Sequence, residues 1–530
     1  MRLSRPGRAR AWATVAVGVA AALAATGVVA PVQAQAQTST QTQTSTQAQA
    51  NRSSGFVTRS GSKLMLDGRQ FRFSGTNIEW LGLVGYGPLN FSAGQNEVFP
   101  THYEIDDALA TAKEMGATVV RAQTLGDTVG CGNCLEPTLG HFNPQAFDVM
   151  DYALARAHAD GIRLIFEFQG DARAEHVGSS ADIFSNWRGG ADFWTDPTVI
   201  HDFENHIAAI LNHVNIYTGI PYKDDPSILG WMDCNGCGSS DTATTANWVS
   251  TISSFVKGID PHHLFLDNTG LTTPQILAIP TVDVYTSEIY PHWSQYYGLP
   301  PSQVADLSHQ EAAQAVAAGK VWAMSEFGWD KTDFATEADL TSFLNGITAD
   351  PNISGDLFWA LESHASGHGW QPLPANDECQ AGLPDSAPPT QPDPTGQGCY
   401  TNEDGNWWAF YYTGISTLSN TAADMQARGQ ILRTHAYQMR GIPVPPQAVP
   451  PAPIITQTAA GRLYWEGSAG AVDYSIQRSS TGWGNWKTVC DRCVTDQSNG
   501  WAIASAGYYR VIPYNLDGRP GPASRPVGAR

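Results

Sequence analysis

The chain has 530 residues, enough for more than one domain, and carries 50 acidic against 30 basic side chains for a net charge of −20. A surface this acidic stays soluble and repels a polyanion, which excludes nucleic acid as a partner.

Arg2, Arg5, Arg8 and Arg10 precede an Ala/Val-rich run from Ala11 to Ala30, followed by Val32-Gln33-Ala34, a small-residue cleavage pattern. This is the order of a secretory signal peptide, so residues 1–34 are expected to be removed and the remainder secreted. The run is just long enough for a membrane anchor. Its low hydrophobicity and the polar tract behind it favour cleavage, and stable membrane insertion is not expected. Four of the basic residues and none of the acidic ones lie in 1–34, so cleavage moves the net charge from −20 to −24. Residues 35–53 are Gln/Thr/Ala-rich with little apolar content, and are expected to stay a disordered tether.

A hairpin is expected over Phe56–Phe73, with Asp67-Gly68 at one turn. Eight short apolar or β-branched runs follow: Phe73–Asn77, Thr118–Gln123, Arg163–Gln169, Ile228–Asn235, Leu264–Asn268, Val282–Tyr290, Val321–Glu326 and Gly355–Glu362. Amphipathic helical patterns separate them, at Tyr103–Met115, Gln145–Asp160, Thr198–Tyr217, Thr244–Ile259, Ser308–Ala318 and Glu337–Ala349. Alternation of this kind predicts an α/β fold, a (β/α)8 TIM barrel over residues 54–440, whose chemistry would sit at the C-terminal ends of the strands.

After a Pro-rich linker at 441–453, residues 454–530 show short alternating strands such as Leu463-Tyr464-Trp465, Tyr474-Ser475-Ile476 and Tyr508-Tyr509-Arg510-Val511. This part resembles a small all-β fibronectin type III sandwich, in which Trp465 and one of the paired tyrosines would be core residues.

Eight cysteines in an exported chain read first as four disulfides. Cys131/Cys134, Cys234/Cys237 and Cys490/Cys493 have CxxC spacing, and Cys379 and Cys399 bracket a Pro/Asp/Gly-rich loop. Two CxxC pairs can also form a four-cysteine zinc site, so Cys131, Cys134, Cys234 and Cys237 are weighed as ligands too. An oxidising compartment favours disulfides, and neither a metal nor a cofactor is expected.

Longer motifs carry a more specific signal. Phe193-Trp194-Thr195-Asp196-Pro197, the stretch Leu211–Gly219 and the stretch Tyr222–Trp231 resemble endo-β-1,4-mannanases of glycoside hydrolase family 5. Phe73–Asn77, Val119-Val120-Arg121, Ile289-Tyr290-Pro291, Ser325-Glu326-Phe327-Gly328 and Phe358-Trp359 match the same pattern in the same order. The resemblance implies cleavage of β-linked sugars by double displacement, with two carboxyls about 5 to 5.5 Å apart. It places Glu326 as nucleophile, Arg121 and Tyr290 around it, Asn235 on the sugar 2-hydroxyl and Trp359 at the floor of the cleavage subsite. Trp80, Trp293, Glu79 and Asn77 fall at strand ends where sugar could be bound. For the aromatic residues, packing is the alternative reading.

The departures matter as much. The family's acid/base glutamate follows the Asn of the fourth strand, and here that position is Gly236, which has no proton to give. On the sixth strand a family His is replaced by Glu288. By alternation Glu288 and Tyr290 face one side of the sheet, so Glu288 and Glu326 would share a low-dielectric cleft. Like charges held close raise the pKa of one member, making it an acid near neutrality. Glu288 could then take over proton transfer, or it could merely bind substrate hydroxyls. Asp233, two residues before Asn235, is expected to point into the barrel one layer too deep for catalysis.

Two functions remain open from the sequence. One is a secreted retaining β-glycosidase, a monomer acting on a poly- or oligosaccharide or glycoside. The other is a non-catalytic carbohydrate-binding protein that has kept the cleft.

Overall fold

The computed structural model describes residues 55–84, 97–170, 180–291, 298–328, 334, 336–370, 410–412, 421–495 and 499–529. The expectations for the signal peptide, the tether, Trp293, Cys379 and Cys399 lie outside them.

Eight parallel strands close into a barrel: β1 Phe73–Asn77, β2 Val119–Ala122, β3 Arg163–Glu167, β4 Ile228–Met232, β5 Leu264–Asp267, β6 Val284–Ile289, β7 Val321–Phe327 and β8 Ile353–Phe358. Their neighbours in the barrel are their neighbours in sequence, with β8 pairing back to β1 from Gly355↔Phe73 to Phe358↔Thr76. Around them lie α1 His102–Glu114, α2 Pro144–Asp160, α3 Ser180–Trp187, α4 Pro197–Asn212, α5 Thr242–Ile259, α6 Pro274–Leu277, α7 Pro301–Ala317, α8 Glu337–Ala349 and α9 Ala422–Met439. The fold expected from the alternation is the fold observed.

Local chemistry sets several helix starts. Thr101-x-x-Glu104 forms a capping box on α1, the Glu104 carboxylate accepting the Thr101 N–H at 2.6 Å. Asp196 caps α4, whose first residue is Pro197. The closing helix α9 has no counterpart among the helices expected from periodicity. It buries Arg428, Gly429, Arg433 and His435 among Met425, Leu432, Ala436 and Met439, which breaks up the apolar stripe, and His435 Nε2 meets Asp356 Oδ2 of β8 at 2.9 Å.

Two cores result. Trp231, Trp248, Phe203, Tyr285 and Trp322 fill the layer between strands and helices, while Val119, Ile165, Leu264, Leu266, Val321 and Ala323 fill the barrel. Val57 and Leu64 join the inner cluster beside Phe73, at the N-terminal end of β1. The leading antiparallel sheet, Thr58–Ser60, Lys63–Leu66 and Arg69–Gln70, therefore plugs the bottom of the barrel and leaves the C-terminal mouth for function.

Residues 454–529 form two antiparallel sheets. Strands β9 Ile454–Ala459, β10 Arg462–Glu466 and β13 Trp501–Ala502 make one; β11 Asp473–Ser479, β12 Lys487–Val494, β14 Gly507–Tyr514 and β15 Val527–Ala529 make the other. Leu463, Trp465, Tyr474, Ile476, Tyr509 and Val511 are their shared core. Tyr509 is the buried member of its pair and Tyr508 is 42 % exposed, as strand alternation requires. The Pro-rich stretch before the module is fastened down: Gln447 N–H donates to Asp517 at 2.8 Å, and Ala448 N–H to Glu114 of α1 at 3.1 Å.

Candidate active site

Strict alternation along β7 would turn Glu326 outward, because Val321 and Ala323 face the barrel interior while Trp322 and Met324 face the helices. A register shift between Met324 and Glu326 changes this. Ser325 reaches inward to Asn268 Oδ1 at 2.9 Å, and Glu326 also turns in, to meet Arg121 and Tyr290. A bulge of this kind re-aims one side chain at a sheet end. Glu326 is 5 % exposed, and the Tyr290 hydroxyl donates to its Oε2 at 2.8 Å.

Arg121, fully buried at the end of β2, organises the floor. Its Nη1 donates to Glu326 Oε1 and, at 3.1 Å, to Asn77 Oδ1; its Nη2 donates to Glu167 Oε2 and to Asn235 Oδ1, both at 2.7 Å. Burial works against the guanidinium charge, but Glu167, Glu326 and Glu288 outweigh it and hold its pKa above the usual value. Asn77 donates both amide hydrogens to backbone, to Ser325 O at 3.0 Å and Phe358 O at 3.2 Å. Asn77, read as a possible sugar contact, and Arg121 are both fully buried and committed to internal partners, Arg121 to Glu326 itself. Asn235 is half-buried, with its Oδ1 held by Arg121, which turns its amide nitrogen away from that bond and leaves it able to donate to a hydroxyl.

Glu288 of β6 lies directly across from Glu326 in the parallel ladder, where strands run about 4.8 Å apart. Asn268 Nδ2 donates to Glu288 Oε1 at 3.0 Å. One guanidinium therefore faces three carboxylates. Burial first, and the charge of Glu288 second, push the Glu326 carboxyl up to about 8, against Arg121 and Tyr290. Glu326 is the more buried of these two carboxyls.

At the end of β4 the arrangement is rebuilt. A register shift around Leu229 leaves Met232 facing inward, against Arg121 Nε, so Asp233 turns out of the barrel. This overturns the reading of Asp233 as an inward side chain. It faces Asp267, and its Oδ1 accepts the N–H groups of Cys234 and Asn268, each at 2.9 Å. Burial raises both carboxyls, Asp267 to about 6 and Asp233 well above its ordinary value. Cys234 and Cys237 are joined, as are Cys131 with Cys134 and Cys490 with Cys493. Each CxxC closes on itself, so the sulfurs weighed as zinc ligands are taken. Within the Cys234–Cys237 turn Gly236 has φ of +58°, a left-handed conformation costing other L residues about 1–2 kcal/mol. Gly236→Glu is accordingly expected to lower stability by that amount, measured by chemical denaturation.

The aromatic expectations divide. Trp80 is 4 % exposed and belongs to the strand–helix core, a correction to its reading as a sugar contact. Trp359 follows β8 directly, 7 % exposed, its N–H donating to Phe327 O at 3.1 Å beside the Glu326 strand. Glu79 opens a short 3-10 turn after β1 and is half-buried. Two site residues escaped the sequence reading. Asn268 orients Glu288 and also accepts from Thr286 and Ser325. Gln169 is fully buried past β3, its side-chain amide without a partner at either end, while its carbonyl accepts the Asn235 N–H at 3.0 Å. Each is a polar residue ending an apolar strand, the only signal that could have flagged it.

With this geometry in hand, comparison with solved structures is informative. The chain superposes on an endo-1,4-β-D-mannanase from Thermotoga petrophila with a TM-score of 0.52 at 21 % identity, covering 69 % of this chain and 99 % of the other. An endo-1,4-β-mannanase from Rhizomucor miehei gives 0.52 at 22 %, covering 73 % and 100 %. The barrel has the fold of these mannanases. Within the mannanase-like barrel, residues 168–273 match the glycoside hydrolase family 5 β-mannosidase-like profile. Mannan endo-1,4-β-mannosidase 2 of Oryza sativa subsp. japonica is 32 % identical over 219 residues, 39 % of this chain and 46 % of the relative. Mannan endo-1,4-β-mannosidase 3 of Arabidopsis thaliana is 30 % identical over 229 residues, 41 % and 51 % respectively. The chain spans about half the length of the curated relatives it matches.

Proposed function

We propose that the protein is a secreted retaining β-glycosidase acting on a β-1,4-mannan-type glycan or an activated β-glycoside. The observation that carries this is Glu326, re-aimed by a bulge into the barrel mouth and held by Arg121 and Tyr290 with Glu288 in register beside it. Mannan-degrading relatives of the same fold support the substrate class. The disulfides support export to an oxidising compartment, and the C-terminal module is read as fibronectin type III-like.

Burial and the neighbouring charge raise the Glu326 carboxyl to about 8, so it carries a proton at neutrality. When a sugar enters, that proton passes from Glu326 to Glu288. The Glu326 carboxylate then attacks the anomeric carbon while Glu288 protonates the departing glycosidic oxygen. Water, deprotonated by Glu288, next breaks the Glu326–sugar ester, so configuration is retained and the proton returns to the pair. A glycine at 236 favours a second reading, a cleft that binds glycan without cutting it.

The test is a panel of β-mannosides and β-glucosides, including nitrophenyl glycosides whose leaving group requires no acid. Loss of mannan cleavage in Glu288→Gln by about 10² to 10⁴-fold, with kcat/KM on nitrophenyl glycosides largely kept while their kcat falls for want of a base in the second step, supports Glu288 as the acid/base; unchanged mannan cleavage discards it. Binding without any turnover establishes the second reading. The pH profile adds an independent check. Glu326 must be ionised to attack, and its pKa is raised to about 8, so kcat/KM on nitrophenyl glycosides is expected to climb with pH up to about 8. Glu288→Gln removes the neighbouring charge, so the same limb should move to lower pH.

A further inference from the structure

Resting on the glycosidase reading above, we propose that the Cys234–Cys237 disulfide is a positioning element of the site: it fixes Asn235 so that its amide nitrogen donates to the sugar hydroxyl next to the anomeric carbon.

Asn235 belongs to the floor around Glu326 by direct contact. Arg121 Nη2 donates to Asn235 Oδ1 at 2.7 Å, and Nη1 of the same guanidinium donates to Glu326 Oε1. The amide oxygen is thereby engaged, while the amide nitrogen, on a half-buried side chain, makes no hydrogen bond among the described residues. A sugar attacked by Glu326 carries its 2-hydroxyl on the carbon beside the one attacked, so a donor that shares Arg121 with the nucleophile is a neighbour of that hydroxyl. The family resemblance already implies this contact; how Asn235 is held for it is a separate matter.

Strand β4 itself does not hold it. The ladders of β4 end at Met232, opposite Glu167 of β3 and Leu266 of β5. Past that point Asp233 N–H donates to Leu266 O at 3.2 Å and Asn235 N–H to Gln169 O at 3.0 Å, while Cys234 N–H turns back to the Asp233 carboxylate. Gly236 then bends the chain, and a turn containing glycine samples many conformations unless it is tied. The disulfide supplies the tie. It closes residues 234–237 into a ring with Asn235 inside it, and Cys234 and Cys237 are both fully buried in the strand–helix core. The exit is fixed as well: a Cβ on Gly238 would lie 2.6 Å from Thr269 O, so the chain leaves the ring pressed against the segment that follows β5. The ring is thus anchored in the core while Asn235 reaches Arg121. Its amide is ordered before substrate arrives, which removes the entropy cost of fixing it on binding.

The experiment uses the full chain with nitrophenyl β-mannoside, nitrophenyl β-glucoside and nitrophenyl 2-deoxy-β-glucoside, which lacks the 2-hydroxyl of either, and reads the ratio of kcat/KM with and without that hydroxyl. Asn235→Ala is expected to lower the ratio about tenfold, the loss of one hydrogen bond. Cys234→Ala with Cys237→Ala, which removes no ligand contact, should lower it as far, and the triple variant no further, because both changes act through one amide. Cys131→Ala with Cys134→Ala, the other CxxC bond of the barrel, should lose stability and keep the ratio. If the Cys234/Cys237 variant keeps the ratio, whatever it loses on both substrates together, or if its effect multiplies with that of Asn235→Ala, the proposal is overturned and the bond is only a staple. If that variant fails to fold, the folded protein is reduced with a phosphine and alkylated, with mass mapping to show Cys234 and Cys237 open; an unchanged ratio overturns the proposal and a fallen one sustains it. Where the wild-type cleft binds without cutting, the same ratio is read in Kd by calorimetry. A wild-type enzyme whose ratio is untouched by Asn235→Ala sinks this inference and leaves the glycosidase reading standing. A wild-type protein that neither cleaves nor binds any glycan sinks that reading, and the inference with it.

Discussion

Glu326→Ala is expected to lower kcat/KM on nitrophenyl β-mannosides by at least about 10⁴-fold, because the group that would form the covalent intermediate is gone and nothing else in the floor can replace it. Glu167 is fully buried and held by Arg121 through both Nε and Nη2, and Glu288 stands beside the lost position, offset by one strand. Azide sharpens the test through stereochemistry. In the unmodified protein azide would intercept the sugar ester on Glu326 and yield the β-glycosyl azide, two inversions giving retention. In Glu326→Ala azide would enter the vacated space and displace the leaving group once, yielding the α-glycosyl azide. NMR of the products separates the two. A β-azide from the alanine variant would remove Glu326 from the mechanism.

Stability should respond in the opposite sense. A carboxyl raised from its ordinary 4.5 to about 8 binds more protons folded than unfolded across that window, so its contribution to stability is present at low pH and is lost as pH rises through it. Glu326→Gln is therefore expected to raise the melting temperature at pH 8 and to flatten its fall between pH 5 and 8.

Arg121→Leu is the substitution expected to cost most in stability, about 3–5 kcal/mol by chemical denaturation at pH 7. The guanidinium is fully buried among Glu167, Glu326, Asn77 and Asn235, and removing it takes away the cation that Glu167 and Glu326 share. Arg121→Lys should recover little, since an ammonium is a point charge that cannot reach partners on β1, β3, β4 and β7 at once. The penalty has a direction in pH: without Arg121 the Glu326 carboxyl, already raised by burial, loses the cation that lowers it, so the defect should shrink toward pH 5, where it can protonate. A deficit unchanged between pH 5 and 8 would mean that lost packing, not uncompensated charge, is the cause.

The alternation of apolar strands with amphipathic helices suffices for the barrel, because each strand must bury one face inside and the other under helices whatever the detail of its ends. Glu326, Arg121, Tyr290 and Asn235 were named from motifs that resemble family 5 mannanases, and the barrel brings them together because it delivers the ends of its strands to one mouth. The glycine at 236, where the resemblance implies a proton donor, likewise needed no coordinates to see. What the sequence could not reveal lies in places where strand parity breaks. A bulge in β7 turns both Ser325 and Glu326 inward, and a register shift in β4 sends Asp233 outward and Met232 in, although the same alternation correctly paired Glu288 with Tyr290. One extra residue reverses every side chain beyond it, and its energy depends on contacts with strands far away in sequence. Burial was equally out of reach, and it raises the Glu326 carboxyl and places Trp80 in the core. What the Cys234–Cys237 turn does for Asn235 was invisible for a related reason: it depends on Arg121 and Gln169, which only the folded chain brings to that turn.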